Sequence, residues 1–211
     1  FSDGFESGGL SGWILSANSC ANNWTASTTD SYQGTYHVES KPQDTLPVPA
    51  SVMERGISTS GYQNISFTYY RKIIAFDSAD EFSVKWYDGS LWVTLEQNIS
   101  GGNDVLYISK IFNLSSLANN NPNFKIKFEC TAGAVSEFCR VDNINISGDV
   151  ISLPDTSSPL LSIIYPQNIT YNINVSSLNY SVSDANLQSC WYSINNGQTN
   201  TTIVCGQNIP G

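Results

Sequence analysis

From Glu81 to Glu96 the chain alternates apolar and polar positions on either side of Asp88-Gly89. A period of two marks a strand with one buried face, and Asp-Gly suits a two-residue type I′ turn. That turn pairs Tyr87 with Ser90, Trp86 with Leu91, Lys85 with Trp92 and Val84 with Val93. Phe82, Val84, Trp86, Leu91, Val93 and Leu95 then share a core face, and Lys85, Tyr87 and Trp92 share the other. The same alternation predicts strands over 65–73, 124–130 and 140–146. In 124–130, Phe124, Ile126 and Phe128 point inward while Lys125, Lys127 and Glu129 point outward. No segment sustains a 3.6-residue period, so the fold class is all-β: two packed antiparallel sheets over residues 1–150.

A polar, proline-bearing linker follows at 151–159, ending Ser-Pro. Beyond it, residues 160–211 hold four short strand candidates, at 160–165, 175–183, 189–194 and 201–205, with a turn at Asn195-Asn196-Gly197. A complete immunoglobulin-type sandwich takes about 100 residues and seven strands, so this segment reads as a partial one. Its apolar positions, Leu160, Ile163, Val175, Leu178, Val182, Trp191 and Ile203, lack a full opposing layer. Trp13, Trp24, Trp86 and Trp191 are expected in cores.

Composition narrows the function. Charged residues are 13% of the 211, with net charge −9, and 22 Asn, 31 Ser and 14 Thr supply the polarity. Nine Lys and Arg, scattered, give no basic patch for nucleic acid or acidic lipid. No apolar run approaches the ~18 residues of a membrane span. The chain begins with Phe1, consistent with a leader that was removed or never included. Five cysteines lack metal-finger or CxxC spacing and suit disulfides in an oxidising compartment. Cys130–Cys139 is expected to close a hairpin and Cys190–Cys205 to join neighbouring strands. Cys20 is free, pairs with Cys130 or Cys139 instead, or reaches another chain. Nine N-glycosylation sequons begin at Asn23, Asn64, Asn98, Asn113, Asn145, Asn168, Asn174, Asn179 and Asn200. Asn and Ser/Thr content alone predicts roughly half that number. An extracellular or cell-surface, N-glycosylated protein is the expectation.

Catalytic chemistry finds little material. His37 is the single histidine, which leaves no basis for a His-metal site or a Ser-His-Asp triad. Asp77, Asp80 and Glu81 read as an acidic turn, and no phosphate loop or HExxH occurs. The chain is expected not to be an enzyme. Sugar binding needs exposed rings to stack on a sugar's apolar face, and Tyr87 and Trp92 on the outer hairpin face meet that need. Alternatively, Lys85 covers Trp92 as a cross-strand cation–π pair.

The opening Phe1-Ser-Asp-Gly-Phe-Glu-Ser-Gly-Gly-Leu-Ser-Gly-Trp13, the hairpin, and Val141-Asp-Asn-Ile-Asn-Ile-Ser-Gly148 resemble jelly-roll modules of the concanavalin-like, MAM and family 4/9 carbohydrate-binding kind. The segments Tyr165-Pro-Gln-Asn-Ile-Thr-Tyr-Asn172 and Ser189-Cys-Trp-Tyr-Ser-Ile-Asn-Asn-Gly197 resemble an immunoglobulin-like repeat of large surface proteins. The first resemblance implies a structural Ca²⁺ where first and last strands meet, with Asp3, Glu6 and Asp142 as ligands. The second implies adhesion or extracellular filaments. Together they lead to a secreted structural or adhesive surface protein, self-associating into a filament by head-to-tail β-sandwich contacts. The alternative is a non-catalytic carbohydrate-binding module of a larger extracellular protein.

Overall fold

A computed structural model describes residues 1–17, 24–40, 51–99, 101–152 and 154–210. Cys20 and the sequon asparagine Asn23 lie outside the described residues. The chain divides into two compact units, Phe1–Ile151 and Ser152–Gly211.

Unit 1 is a β-sandwich. Its strands are β1 (Ser2–Asp3), β2 (Ile14–Ser16), β3 (Thr25–Ser27), β4 (His37–Ser40), β5 (Ser51–Gly56), β6 (Tyr62–Ile74), β7 (Glu81–Tyr87), β8 (Trp92–Ile99), β9 (Ile108–Asn113), β10 (Lys125–Thr131) and β11 (Phe138–Val150). Sheet 1 runs β3-β4-β11-β6-β9, with β1 also on β11, and sheet 2 runs β2-β5-β10-β7-β8. The alternation read from the sequence is what closes the core. Ile65, Phe67, Tyr69 and Ile73 of β6 and Val141, Ile144 and Ile146 of β11 face inward from sheet 1. Phe82, Val84 and Trp86 of β7, Met53 of β5, and Ile126 and Phe128 of β10 meet them from sheet 2. Phe128 lies at the centre: its ring is edge-on to Phe67 and Tyr69 from the opposite sheet, and it touches Trp13, Trp24 and Phe82.

The hairpin corrects the sequence reading. Asp88 Oδ1 accepts the backbone N–H groups of Ser90 and Leu91, both at 2.7 Å. Asp88–Leu91 is therefore a four-residue loop, and Tyr87 pairs with Trp92, Trp86 with Val93 and Lys85 with Thr94. Leu91 is in the loop at 70% exposure, not in the core, and Val93 on edge strand β8 is partly uncovered. Trp86 is buried, and Tyr87 and Trp92 lie on the opposite, outer face, as expected.

Cys130 and Cys139 are disulfide-bonded. The bond does not close a hairpin, because β10 and β11 belong to different sheets. It ties sheet 2 to sheet 1 across the intervening turn, a contribution of about 2–4 kcal/mol for a crosslink of this kind.

Unit 2 holds β12 (Leu160–Tyr165), β13 (Ser177–Ser183), β14 (Cys190–Tyr192), β15 (Thr201–Ile203) and β16 (Ile209–Pro210). They form a three-stranded sheet, β12-β13-β16, and a separate pair, β14-β15. The Cys190–Cys205 disulfide is present. Asn196 and Gly197 both take positive φ (57° and 81°), the conformation a tight type I′ turn requires. None of the described residues in this unit is fully buried. Trp191 is a correction: it alternates with the disulfide-bonded Cys190, pairs with Thr202, and is 59% exposed instead of forming a core.

Candidate functional site

Sheet 1 turns an unusual set of side chains away from the core. Between the inward residues, β4 directs His37 and Glu39 outward, β11 directs Arg140 and Asp142, and β6 directs Tyr70 and Lys72. Cross-strand pairing lines them up. Thr25, Glu39, Arg140 and Lys72 form one row across β3, β4, β11 and β6. Asp142, Tyr70 and Ser109 form the next across β11, β6 and β9. His37, Glu39, Arg140 and Asp142 are buried although they face outward, and the 29–36 loop bonds Asp142 and Arg140 from above.

That loop delivers an aromatic ring. Tyr32 stacks on Tyr70 with ring centroids 3.6 Å apart and planes 14° apart. Tyr107 lies 5.8 Å from Tyr32 and donates its hydroxyl to the Asp30 carbonyl at 2.8 Å. One side of Tyr32, which is 43% exposed, stays open to solvent.

The charges around the rings are paired among themselves. Arg140 reaches Glu39 (Nε to Oε2, 3.1 Å) and Asp30 (Nη1 to Oδ2, 2.5 Å), and Lys72 Nζ reaches Asp30 at 2.9 Å. His37 Nε2 sits 3.3 Å from Glu39 Oε2, while its Nδ1 has no hydrogen-bond partner among the described residues. Arg140 and Lys72 thus face Asp30 and Glu39, with Asp142 a third carboxylate in the next row. Burial pushes the Tyr107 hydroxyl well above the ordinary tyrosine range, so it remains a neutral donor.

The carboxylates expected to hold calcium have other partners. Asp142 Oδ2 accepts the backbone N–H groups of Tyr32 (2.9 Å) and Gln33 (3.1 Å), and Oδ1 accepts that of Asn143 (2.6 Å). Glu6 accepts the N–H groups of Thr35 and Tyr36 at 2.9–3.0 Å. Asp3 accepts the Phe5 N–H and the Trp13 indole N–H, at 2.9 and 2.8 Å. Two of the three therefore pin the loop that carries Tyr32, and the three do not gather into one cluster. The loop's geometry depends on Gly34: its φ is +70°, and a Cβ there would overlap the Glu6 carboxyl. Among the described residues, the acidic side chains that do converge are Asp77, Asp80 and Glu137, with oxygens within 4.8 Å of one another. Asp80 accepts the N–H groups of Asp77 and Gly133, and Glu137 those of Gly133 and Ala134. Glu81, read from the sequence as part of this acidic turn, bonds Gln97 on β8 instead.

These bonds give the molecule an acid limit. The Tyr36 and Thr35 amides hold Glu6 below the usual carboxylate range, and the Leu91 and Ser90 amides do the same for Asp88. A depressed folded value contributes stability above the unfolded pKa, and that stability is lost as pH falls through the folded value. Asp142 has the opposite sign: burial raises it despite its three amide donors, so its protonation favours the folded state slightly. Melting temperature should hold from pH 7 to about 5 and fall below about pH 4. Glu6→Gln should flatten part of that acid limb in a series of thermal melts. Superimposable acid limbs for the two proteins would remove Glu6 from this account.

Tyr87 and Trp92 lie side by side on sheet 2, ring centroids 5.4 Å apart. Lys127 Nζ sits 4.4 Å over the Trp92 ring and Lys125 lies 5.7 Å from Tyr87. The expected cation–π cover exists, but Lys127 of β10 supplies it in place of Lys85. Lys85 and Lys127 both pair with Glu129 (2.6 and 2.8 Å), and Lys125 pairs with Glu54 (2.9 Å). Burial raises the Glu129 carboxyl, but its bonds to Lys127, Lys85 and Ser83 outweigh this and hold it below the usual range. This face is a laced, solvated sheet surface.

No protein-family model matches the sequence, and no curated protein matches it. Unit 1 does share its fold with solved structures. A family 61 carbohydrate-binding module in complex with β-1,4-galactotriose superposes with TM-score 0.52 at 13% identity, over 69% of this chain and 94% of that one. The C-terminal family 22 carbohydrate-binding module of Clostridium thermocellum Xyn10B gives 0.51 at 14%, over 70% and 91%. A family 22 xylan-binding domain gives 0.50 at 17%, over 72% and 96%. At such identities the likeness is one of fold: unit 1 is a β-sandwich of the jelly-roll type that these modules share.

Proposed function

We propose that unit 1 is a non-catalytic carbohydrate-binding module and that its site is the outer face of sheet 1 around Tyr32, Tyr70 and Tyr107. The observation that carries the reading is the three-tyrosine cluster set inside an internally paired polar frame. A ring with one open face stacks on the apolar face of a pyranose. The side chains of Gln33 and Asn143 at the edge of the cluster are of the kind that bond sugar hydroxyls. Gln33 and Asn143 already meet at 3.1 Å. The fold neighbours include modules named for xylan and galactotriose, which makes such β-linked glycans the first probes. Truncating a central aromatic contact costs about 2 kcal/mol or more. Tyr32→Ala should therefore weaken saccharide binding about 30-fold or more by calorimetry, while Trp92→Ala leaves it unchanged. Loss of binding in Trp92→Ala alone would move the site to sheet 2.

A second reading rests on unit 2. Leu161, Ile163, Leu178, Tyr180, Val182 and Trp191 line an open cavity of about 450 Å³. The segment 152–211 contains no Lys or Arg. An uncovered apolar face of this kind favours self-association into a filament. Sedimentation velocity should show species larger than the monomer mass read by intact-mass spectrometry, and they should grow with concentration. A single monomer boundary at every concentration would dispose of the filament reading.

A further inference from the structure

The sequons do not fall at random on unit 1. Of the four whose asparagines are described there, three sit on the same outer face of sheet 1 as the tyrosine cluster. Asn145 of β11 lies between core residues Ile144 and Ile146, so it points outward, and it pairs with Thr68 of β6. Asn113 closes β9, is exposed, and pairs with Ser66 of β6. Asn64 is exposed at the start of the same stretch of β6, its side-chain amide donating to Asp149 at 2.9 Å. The fourth, Asn98, pairs with buried Phe82 on sheet 2.

Position along β6 divides this face. From Tyr70 toward Lys72 come Arg140, Asp30 and the ring cluster. From Tyr70 the other way come Thr68, Ser66 and Asn64, with Asn145 and Asn113 on the flanking strands. With about 3.3 Å rise per residue and about 4.8 Å between strands, the Asn145 backbone lies about 8 Å from that of Tyr70. Asn113 lies about 14 Å from it by the same spacing.

We propose that this face is shared between a saccharide site and N-linked glycans on Asn64, Asn113 and Asn145, so that it accepts short oligosaccharides and chain ends but not a polysaccharide running through. The inference rests on the carbohydrate-binding reading above. The modification needs an oligosaccharide carried on a lipid diphosphate, with its transferase. The asparagine amide nitrogen bonds the anomeric carbon, the carbon–oxygen bond to diphosphate breaks, and the amide gives up one proton as the lipid diphosphate leaves. A glycan is bulky and hydrated. Rooted one step from Tyr70, it occupies the half of the face over which a long chain would have to continue.

The test uses the full chain secreted from an N-glycosylating host. Peptide mass spectrometry reads the three asparagines, and calorimetry compares xylohexaose and β-1,4-galactotriose with soluble xylan and galactan. Two forms lacking these three sequons serve as comparison: Asn64→Gln/Asn113→Gln/Asn145→Gln, and Ser66→Ala/Ser115→Ala/Ser147→Ala. The second set keeps Asn64, whose φ of 55° a glutamine would strain. The expected result is glycan mass at these sites and unchanged oligosaccharide affinity. Polymer affinity should rise about fivefold or more in both variant sets. Unmodified asparagines, or equal polymer affinity with and without glycans, would overturn the proposal while leaving the tyrosine site standing. Absence of oligosaccharide binding in every form would overturn both.

Discussion

Replacing Phe128 with alanine should destabilise unit 1 by about 3–5 kcal/mol, the range for removing a large buried ring. Phe128 is fully buried on β10, the middle strand of sheet 2. Its ring touches Trp13, Trp24, Phe67, Tyr69 and Phe82, so it joins both sheets and the N-terminal segment. Chemical denaturation followed by tryptophan fluorescence reads the effect, since Trp13 and Trp24 flank the ring. Phe128→Leu, which keeps most of the volume, should cost less than half as much. A cost near 1 kcal/mol for Phe128→Ala would show that the sandwich is not centred there.

The second large effect is electrostatic. Arg71 faces inward on β6 and is buried. Its Nε bonds Glu96 of β8 at 2.7 Å and its Nη1 bonds Asp104. Lys110 reaches the same Glu96 at 2.7 Å, the Tyr69 hydroxyl donates to that carboxylate, and Asp104 also accepts the Ile73 N–H at 2.8 Å. Burial, with the Glu96 charge beside it, drives the Tyr69 hydroxyl far above its ordinary range, so it stays a donor. Removing one member of a buried charge pair costs about 3–5 kcal/mol, because the partner is left charged and dry. Arg71→Ala should fall at the lower end, about 3 kcal/mol, since Lys110 still serves Glu96. Arg71→Lys keeps the charge but not the two-pronged geometry and should recover part of the loss. Equal stability of Arg71→Ala and the native protein would mean the cluster holds nothing together.

Much of this architecture was written locally. Strands 65–73, 124–130 and 140–146 announce themselves because alternating residues settle which face is wet, whatever they pair with. The hairpin register did not, because one side chain decided it. Asp88 captures two amides beyond the Asp-Gly pair and lengthens the loop, which throws Leu91 into water. The sequence held that signal, since Asp is the residue that makes such bonds. The Cys130–Cys139 pair was legible from proximity, but its role as an inter-sheet tie was not, because sheet membership is set by distant strands.

The candidate site divides the same way. Tyr70, Lys72, Arg140 and Asp142 are the outward positions of strands the pattern identifies, so a polar stripe beside a core stripe was available to be read. Tyr32, Asp30 and Tyr107 were not. They arrive on loops whose anchors are far away in sequence: Asp142 holds the Tyr32 amide across 110 residues. The acidic residues of the first and last strands drew attention as metal ligands because amide donors leave no mark in a sequence. In the structure, backbone N–H groups of the 32–36 segment bond Glu6 and Asp142. Tyr87 and Trp92 were visible as an exposed pair, but the lysines of the neighbouring strand that cover them depend on register.

Saccharide binding by the outer face of sheet 1 is open to direct measurement. A ¹H–¹⁵N titration of the assigned protein with β-1,4-galactotriose, xylohexaose and further neutral β-linked oligosaccharides tests it most directly. Saturable shifts are predicted at Tyr32, Gln33, Tyr70, Tyr107, Arg140 and Asn143, with residues 85–94 of the hairpin unmoved. Shifts confined to the Tyr87–Trp92 face, or no saturable shift with any of these oligosaccharides, would contradict it.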